Sequence, residues 1–63
     1  MTNQQKARLL LVEDSEATAR IYQEYLRTLA VDVTHVSKGR AGLDLIRQED
    51  PDVLLLDLNL PDI

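Results

Sequence analysis

The chain has 63 residues, enough for one small domain, and a chain of this size buries only about 60% of the surface that its unfolded form exposes. A net charge of −4, with two tyrosines and no phenylalanine or tryptophan, argues against direct nucleic-acid binding. The chain has no cysteine for disulfides, no apolar stretch long enough for a membrane span and no apolar signal segment at its polar N-terminus. We therefore expect a cytoplasmic protein with no membrane contact.

Strands and helices are predicted to alternate along the chain in the order β-α-β-α-β. Short apolar or β-branched runs indicate the strands, and apolar positions at helical spacing indicate the helices between them. Such an order favours an α/β fold with a parallel sheet and right-handed crossovers. The predicted segments are a flexible leader over 1–7, a strand over 8–12, a helix over 15–29, a strand over 31–36, a helix over 38–49 and a strand over 52–56.

The first predicted helix has a stripe of apolar side chains spaced four residues apart. Ile21, Tyr25 and Leu29 form this stripe, which we expect to face the sheet. Asp14 or Ser15 can cap the N-terminus of the helix. Tyr22 and Leu26 lie on the neighbouring stripe, and we expect Tyr22 and Tyr25 in the core or at an interface.

The second predicted helix has clearer signals at its ends than along its length. Ser37 is a plausible N-cap, and Pro51 ends the helix because the residue before a proline disfavours the α region. Leu43 and Ile46 are expected to face the sheet. His35, on the predicted strand before this helix, is expected to be a plain surface residue of an edge strand.

Acidic residues follow two of the predicted strands. Glu13 and Asp14 close the apolar run 9–12, and Asp57 closes the apolar run 53–56. Both runs are typical of central strands buried on both faces, and ligands of open α/β sheets bind at the carboxyl ends of such strands. Three acids converging there would repel one another without a cation, so the sequence predicts a Mg²⁺ site beside a nucleophilic aspartate.

These residues resemble the receiver domain of two-component response regulators. The resemblance rests on the acidic pair after the first strand, on the D-x-x-L-P-D stretch that begins at Asp57, and on the spacing of about 43 residues from Asp14 to Asp57. Gly39, Leu43 and the Pro51-Asp52 pair also fit. The resemblance implies a flavodoxin-like, doubly wound parallel sheet. Residues 8–63 would supply its first half, a truncated receiver of three strands in the order 2-1-3 and two helices.

The resemblance also implies the roles of the site residues. Asp57 would be the phosphoacceptor, taking a phosphoryl group from a histidine kinase or phosphotransfer protein, and it would also be a Mg²⁺ ligand. Asp14 would bind Mg²⁺ directly, Glu13 directly or through a water, and Asn59 through its backbone carbonyl. A receiver of this kind is not expected to be an enzyme. The Thr or Ser and the Lys that the family uses on the phosphoryl group are absent here, so slow or absent phosphorylation is expected.

Other readings of the same residues remain open at this point. Asp14 could simply cap a helix, and Asp57 alone could be a solvated loop acid. Asp57 could instead be the nucleophile of a haloacid-dehalogenase-like phosphatase, although that family's D-x-D-x-T pattern would place Asn59 and Pro61 at its third and fifth positions. Finally, a half-domain with an open third strand could associate with its own copy through that strand edge, as a symmetric homodimer.

Overall fold

The structure is a computed structural model that describes residues 6–57. Three parallel strands form one sheet in the order β2-β1-β3, which confirms the predicted α/β fold and strand order. The predictions for residues 1–5 of the leader and for the loop after Asp57 lie outside the described residues, whereas Ala7, predicted in the leader, is the first residue of β1. The elements are β1 (Ala7–Val12), α1 (Glu16–Leu26), β2 (Val31–Val36), α2 (Gly39–Glu49) and β3 (Val53–Leu56).

Strand β1 is the centre of the molecule. It pairs with β2 along its whole length, from Ala7 opposite Val31 to Val12 opposite Val36, and with β3 over its last four residues. All four residues from Leu9 to Val12 are buried, because α1 covers one face of the strand and α2 covers the other. Burial on both faces explains why this strand is a continuous apolar run rather than an alternating one.

Strand β3 differs from the prediction that both apolar runs are buried on two faces. Val53, Leu54 and Leu56 are exposed, with 45% of Leu54 accessible, whereas Leu55 is partly buried against α1 and Leu9. Within residues 6–57, β3 has a strand on one side only. An apolar run therefore indicates a strand that can be buried on both faces. Whether it is buried depends on the helices and strands that pack beside it.

Helix α1 packs on the sheet through Ala19 and Leu26 and not through the predicted stripe of Ile21, Tyr25 and Leu29. Ala19 is buried and Leu26 packs against the core formed with Leu9 and Leu11. Ile21 lies two positions beyond Ala19, about 200° around the helix, and it is exposed together with Tyr25. The prediction that Ile21, Tyr25 and Leu29 face the sheet is therefore wrong.

The end of α1 and its two tyrosines also differ from the prediction. The helix ends at Leu26, so Leu29 lies beyond it. Tyr22 and Tyr25 are 39% and 73% exposed, so the prediction that they lie in the core is wrong.

Helix α2 lies close against β1 because it has a glycine at the contact. A Cβ atom on Gly42 would come within 2.7 Å of Val12 Cγ2. Leu45 and Ile46 pack against Val12 and Leu10, as predicted for Ile46. Leu43, also predicted to face the sheet, is instead exposed, because it lies on the side of the helix toward the uncovered β3.

The ends of α2 differ from one another in how they are stabilised. The N-cap position is Lys38 rather than the predicted Ser37, and no side chain caps this end. At the other end, Asp50 adopts the left-handed conformation with φ 49°, and the Arg8 guanidinium donates hydrogen bonds to the carbonyls of Glu49 and Asp50. The helix stops just before Pro51, as predicted. Over the described residues, no helix has both the length and the hydropathy to cross a bilayer.

Candidate metal and phosphoacceptor site

The three predicted acids meet at the carboxyl edge of the sheet. One carboxylate oxygen each from Glu13, Asp14 and Asp57 can be chosen so that all three lie within 4.8 Å of one another. The parallel pairing of β1 with β3 continues past the strands, since the Asp57 N–H donates to the Val12 carbonyl at 3.0 Å. This backbone bond sets the start of the Asp57 side chain beside the end of β1.

Glu13 is the buried member of this acidic cluster, with 7% of its surface exposed. Its carboxylate accepts a hydrogen bond from the Ser15 N–H at 3.1 Å, and its own N–H donates to the Val36 carbonyl at 3.0 Å. The carboxylate also lies at the N-terminal end of α1, where the helix dipole favours negative charge. These contacts explain how a carboxylate can be buried at this position.

Asp14 is exposed, and Asp57 is half-buried. The cap of α1 is Ser15, whose hydroxyl accepts from the Thr18 N–H at 3.3 Å, so capping falls to Ser15 and not to Asp14. Since the cluster combines one buried, one half-buried and one exposed acid, it opens to solvent on the side of Asp14.

The donor set fits Mg²⁺. The ion takes oxygen ligands in octahedral geometry at about 2.0–2.1 Å, so opposed ligand atoms lie about 4 Å apart. Adjacent ligand atoms lie closer, about 2.9 Å apart. Three carboxylate oxygens within 4.8 Å of one another are near enough to share one ion. An ion there would also offset the repulsion among three negative charges. Asn59, whose backbone carbonyl was predicted as a further ligand, lies outside the described residues.

His35 contributes to this edge, which the sequence did not indicate. It is partly buried rather than a plain surface residue, and its Nε2 lies 2.9 Å from the Glu13 carbonyl oxygen. The only available signal was its position near the end of β2. There it pairs with Leu11, which lies two residues before Glu13 in the chain. A lone histidine on an edge strand gives no periodic pattern from which such a contact could be predicted.

A three-stranded parallel α/β unit with an acidic cluster at the carboxyl ends of its first and third strands has the architecture that the family resemblance implies for a receiver domain. The comparison with protein families agrees: the model described as "Response regulator receiver domain" matches residues 9–63. The chain belongs to this family. The family, the fold class and the strand order are thus confirmed, and the match favours a receiver over the haloacid-dehalogenase-like reading of Asp57.

Similar proteins point the same way. The chain is 42% identical over 53 residues to the regulatory protein LuxO of Vibrio vulnificus, covering 84% of this chain and 12% of that protein. It is 43% identical over 56 residues to the cell cycle transcriptional regulator CtrA of Caulobacter vibrioides, covering 89% of this chain and 24% of that protein. The chain thus spans a quarter or less of these relatives.

A solved structure gives the match in three dimensions. The crystal structure of the signal receiver domain of a LuxO repressor protein from Vibrio parahaemolyticus superposes with a TM-score of 0.87 at 40% sequence identity. The alignment covers 92% of this chain and 45% of that one. The chain therefore corresponds in fold to a little under half of that receiver domain.

Proposed function

We propose that this chain is a phosphoacceptor module of a two-component phosphorelay and that Asp57 accepts the phosphoryl group. The donor would be a phosphohistidine of a histidine kinase or phosphotransfer protein. A carboxylate oxygen of Asp57 attacks phosphorus, the P–N bond to the donor histidine breaks, and that nitrogen keeps the electron pair. The product is an acyl phosphate on Asp57. The observation that carries the proposal is the meeting of Glu13, Asp14 and Asp57 within 4.8 Å at the sheet edge.

Glu13, Asp14, Asp57 and the Asn59 carbonyl would hold a Mg²⁺ ion at this site. When bound, the ion would offset negative charge on the transferring phosphoryl group and help to align it. Glu13 is suited to a fixed position, because it is buried and hydrogen-bonded through its side chain and its N–H. Asp14, which is exposed, is suited to meet an ion arriving from solvent.

The reaction consumes one phosphoryl group per chain, so we propose an acceptor rather than an enzyme. We expect it in the cytoplasm and without direct nucleic-acid contact through this segment, whose net charge is −4. The alignment with the solved receiver structure covers 45% of that structure. The Thr or Ser and the Lys that the family resemblance implies on the phosphoryl group lie outside the 63 residues of this chain. We therefore expect these 63 residues to accept phosphate slowly and not to switch conformation.

Labelling with a small phosphodonor tests this function. The chain is incubated for hours with acetyl phosphate, with and without Mg²⁺, and the gain of one phosphoryl group is followed by mass spectrometry. We expect slow, Mg²⁺-dependent labelling that is lost in Asp57→Asn and kept in Asp52→Asn, a control acid at the opposite end of β3. Labelling that persists in Asp57→Asn would contradict the proposed acceptor, and rapid labelling would contradict the expected slow rate.

A second candidate function, self-association, is favoured by the exposed β3. Val53, Leu54 and Leu56 are 41–45% exposed, and no strand lies beyond β3 within residues 6–57. An edge of this kind tends to pair with another chain. We propose that two copies pair antiparallel through β3 about a two-fold axis, which gives a continuous sheet. Sedimentation equilibrium should show a dimer, and a folded monomer at high concentration would contradict it.

A further inference from the structure

The Glu13–Asp14 peptide is held from the side by a residue of the neighbouring strand. His35 Nε2 lies 2.9 Å from the Glu13 carbonyl oxygen, and both groups are partly buried. A carbonyl oxygen only accepts hydrogen bonds, so Nε2 must carry a proton for this contact to form. The contact therefore selects the Nε2–H tautomer of a neutral His35 and leaves Nδ1 as the nitrogen with the lone pair.

The His35 imidazole contacts the Glu13 carbonyl at the point where the backbone hydrogen bonds between β1 and β2 end. The Glu13 N–H still donates to the Val36 carbonyl at 3.0 Å, but β2 ends at Val36. A longer β2 would offer a backbone N–H to the Glu13 carbonyl, since parallel strands exchange evenly spaced bonds. Here a side chain supplies that donor, and a partly buried carbonyl is thereby satisfied.

The held carbonyl belongs to the peptide that links the two acids. Its orientation fixes the direction in which the chain leaves Glu13 and so the position from which the Asp14 side chain starts. Glu13 has further contacts of its own, through its N–H and its carboxylate. Within residues 6–57, the exposed Asp14 carboxylate accepts no hydrogen bond from a side chain or backbone group. Asp14 therefore depends on the backbone for its placement more than Glu13 does.

We propose that His35 is a positioning residue for the Glu13–Asp14 carboxylate pair, acting through its Nε2–H on the Glu13 carbonyl. The inference rests on the proposed function where it concerns Mg²⁺, because the purpose of positioning is to present Asp14 beside Glu13 and Asp57. It does not depend on a change in the charge of His35, since Nε2 donates the same bond in the neutral and the protonated ring.

Two amide substitutions separate the contact from the mere presence of a polar side chain. In His35→Gln the amide nitrogen can occupy the place of Nε2, whereas in His35→Asn the side chain is one carbon shorter and reaches only the place of Nδ1. Both variants are uncharged and polar, so they differ mainly in whether the amide nitrogen can reach the Glu13 carbonyl oxygen. Circular dichroism on both establishes that each variant is folded like the unchanged chain.

The first measurement needs no metal. Long-range ¹H–¹⁵N spectra of the unchanged chain at alkaline pH, where imidazole is neutral, should show the Nε2–H tautomer of His35. The backbone amide signal of Asp14 should shift in His35→Asn and stay near its original position in His35→Gln. An Nδ1–H tautomer, or an Asp14 signal that responds equally to both variants, would overturn the proposal.

The second measurement is calorimetric titration with MgCl₂. We expect about tenfold weaker binding in His35→Asn and near-original binding in His35→Gln, a loss typical for a partner that orients a metal ligand. Equal binding by both variants would overturn the positioning role. If the unchanged chain binds no Mg²⁺, the magnesium site of the proposed function fails, and the metal-free spectra alone then decide whether His35 holds the acidic pair.

Discussion

The two edges of the sheet are built differently. The outward-facing residues of β2 include Asp32 and Thr34, which are exposed and polar. The residues of β3 that face solvent are Val53, Leu54 and Leu56, which are apolar. Both strands flank the same buried β1, and both are parallel to it. The edge at β2 is thus suited to water, whereas the edge at β3 is suited to a further protein surface.

The difference continues onto the face that α2 covers. This helix packs on β1 through Leu45 and Ile46, but it leaves an apolar groove beside Leu54 and Leu56. Gly42 and Leu43 line the same groove from the helix side. The groove adds to the apolar surface that the β3 edge presents. A strand that the sequence predicts to be central therefore has one unpaired edge within residues 6–57.

The largest effect should come from truncating the strand between the two edges. Leu11 is 1% exposed, so Leu11→Ala should lower the free energy of unfolding by about 3 kcal/mol through lost burial and a residual cavity. Leu56→Ala on β3, where 41% of the side chain is exposed, should cost about 1 kcal/mol or less. Urea unfolding followed by circular dichroism measures both. Equal losses would show that β3 is as well covered as β1 in solution.

A smaller effect is expected at the contact that brings α2 onto β1. Gly42→Ala places a Cβ 2.7 Å from Val12 Cγ2, and the resulting shift should cost about 1–2 kcal/mol of unfolding free energy after the gain in helix propensity. Ala41→Ser, on the exposed side of the same helix, should change stability by less than about 0.5 kcal/mol. A stabilised Gly42→Ala protein would mean that α2 lies farther from β1.

The third prediction sets one edge directly against the other. Leu54→Lys brings like charges together if two copies pair through β3, so the dimer should dissociate at least about tenfold more easily, a change of about 1.4 kcal/mol. Thr34→Lys puts the same charge on the β2 edge and should leave association unchanged. Sedimentation equilibrium of the two variants decides between the edges. A loss of association in Thr34→Lys alone would place the interface at β2.

The smallest effect on stability is expected from Mg²⁺ binding at the acidic cluster of Glu13, Asp14 and Asp57. Mg²⁺ at about five times its dissociation constant should raise the free energy of unfolding by about 1 kcal/mol, because it binds the folded chain. Asp14→Asn should abolish this gain, while Asp32→Asn, an exposed acid on the β2 edge, should keep it. Thermal unfolding with and without MgCl₂ measures the shift. An equal gain in all three proteins would indicate screening rather than a site.

The sequence by itself determined the order of elements, the parallel sheet and the acidic cluster. Local patterns suffice for these, because a continuous apolar run specifies a strand and because the carboxyl ends of parallel strands meet at one edge. Glu13, Asp14 and Asp57 could be placed together on this ground alone, and the structure brings their carboxylates within 4.8 Å. The family resemblance added the expected roles of these residues.

Tertiary structure decided which faces are covered and how the acids are held. Ile21 and Tyr25 form the more regular stripe on α1, yet the helix packs on the core of Leu9 and Leu11 through Ala19 and Leu26. The burial of Glu13 and its contact with His35 depend on where β2 ends relative to β1. Such contacts join residues far apart in the chain, and no periodic pattern encodes them, so only the folded arrangement shows them.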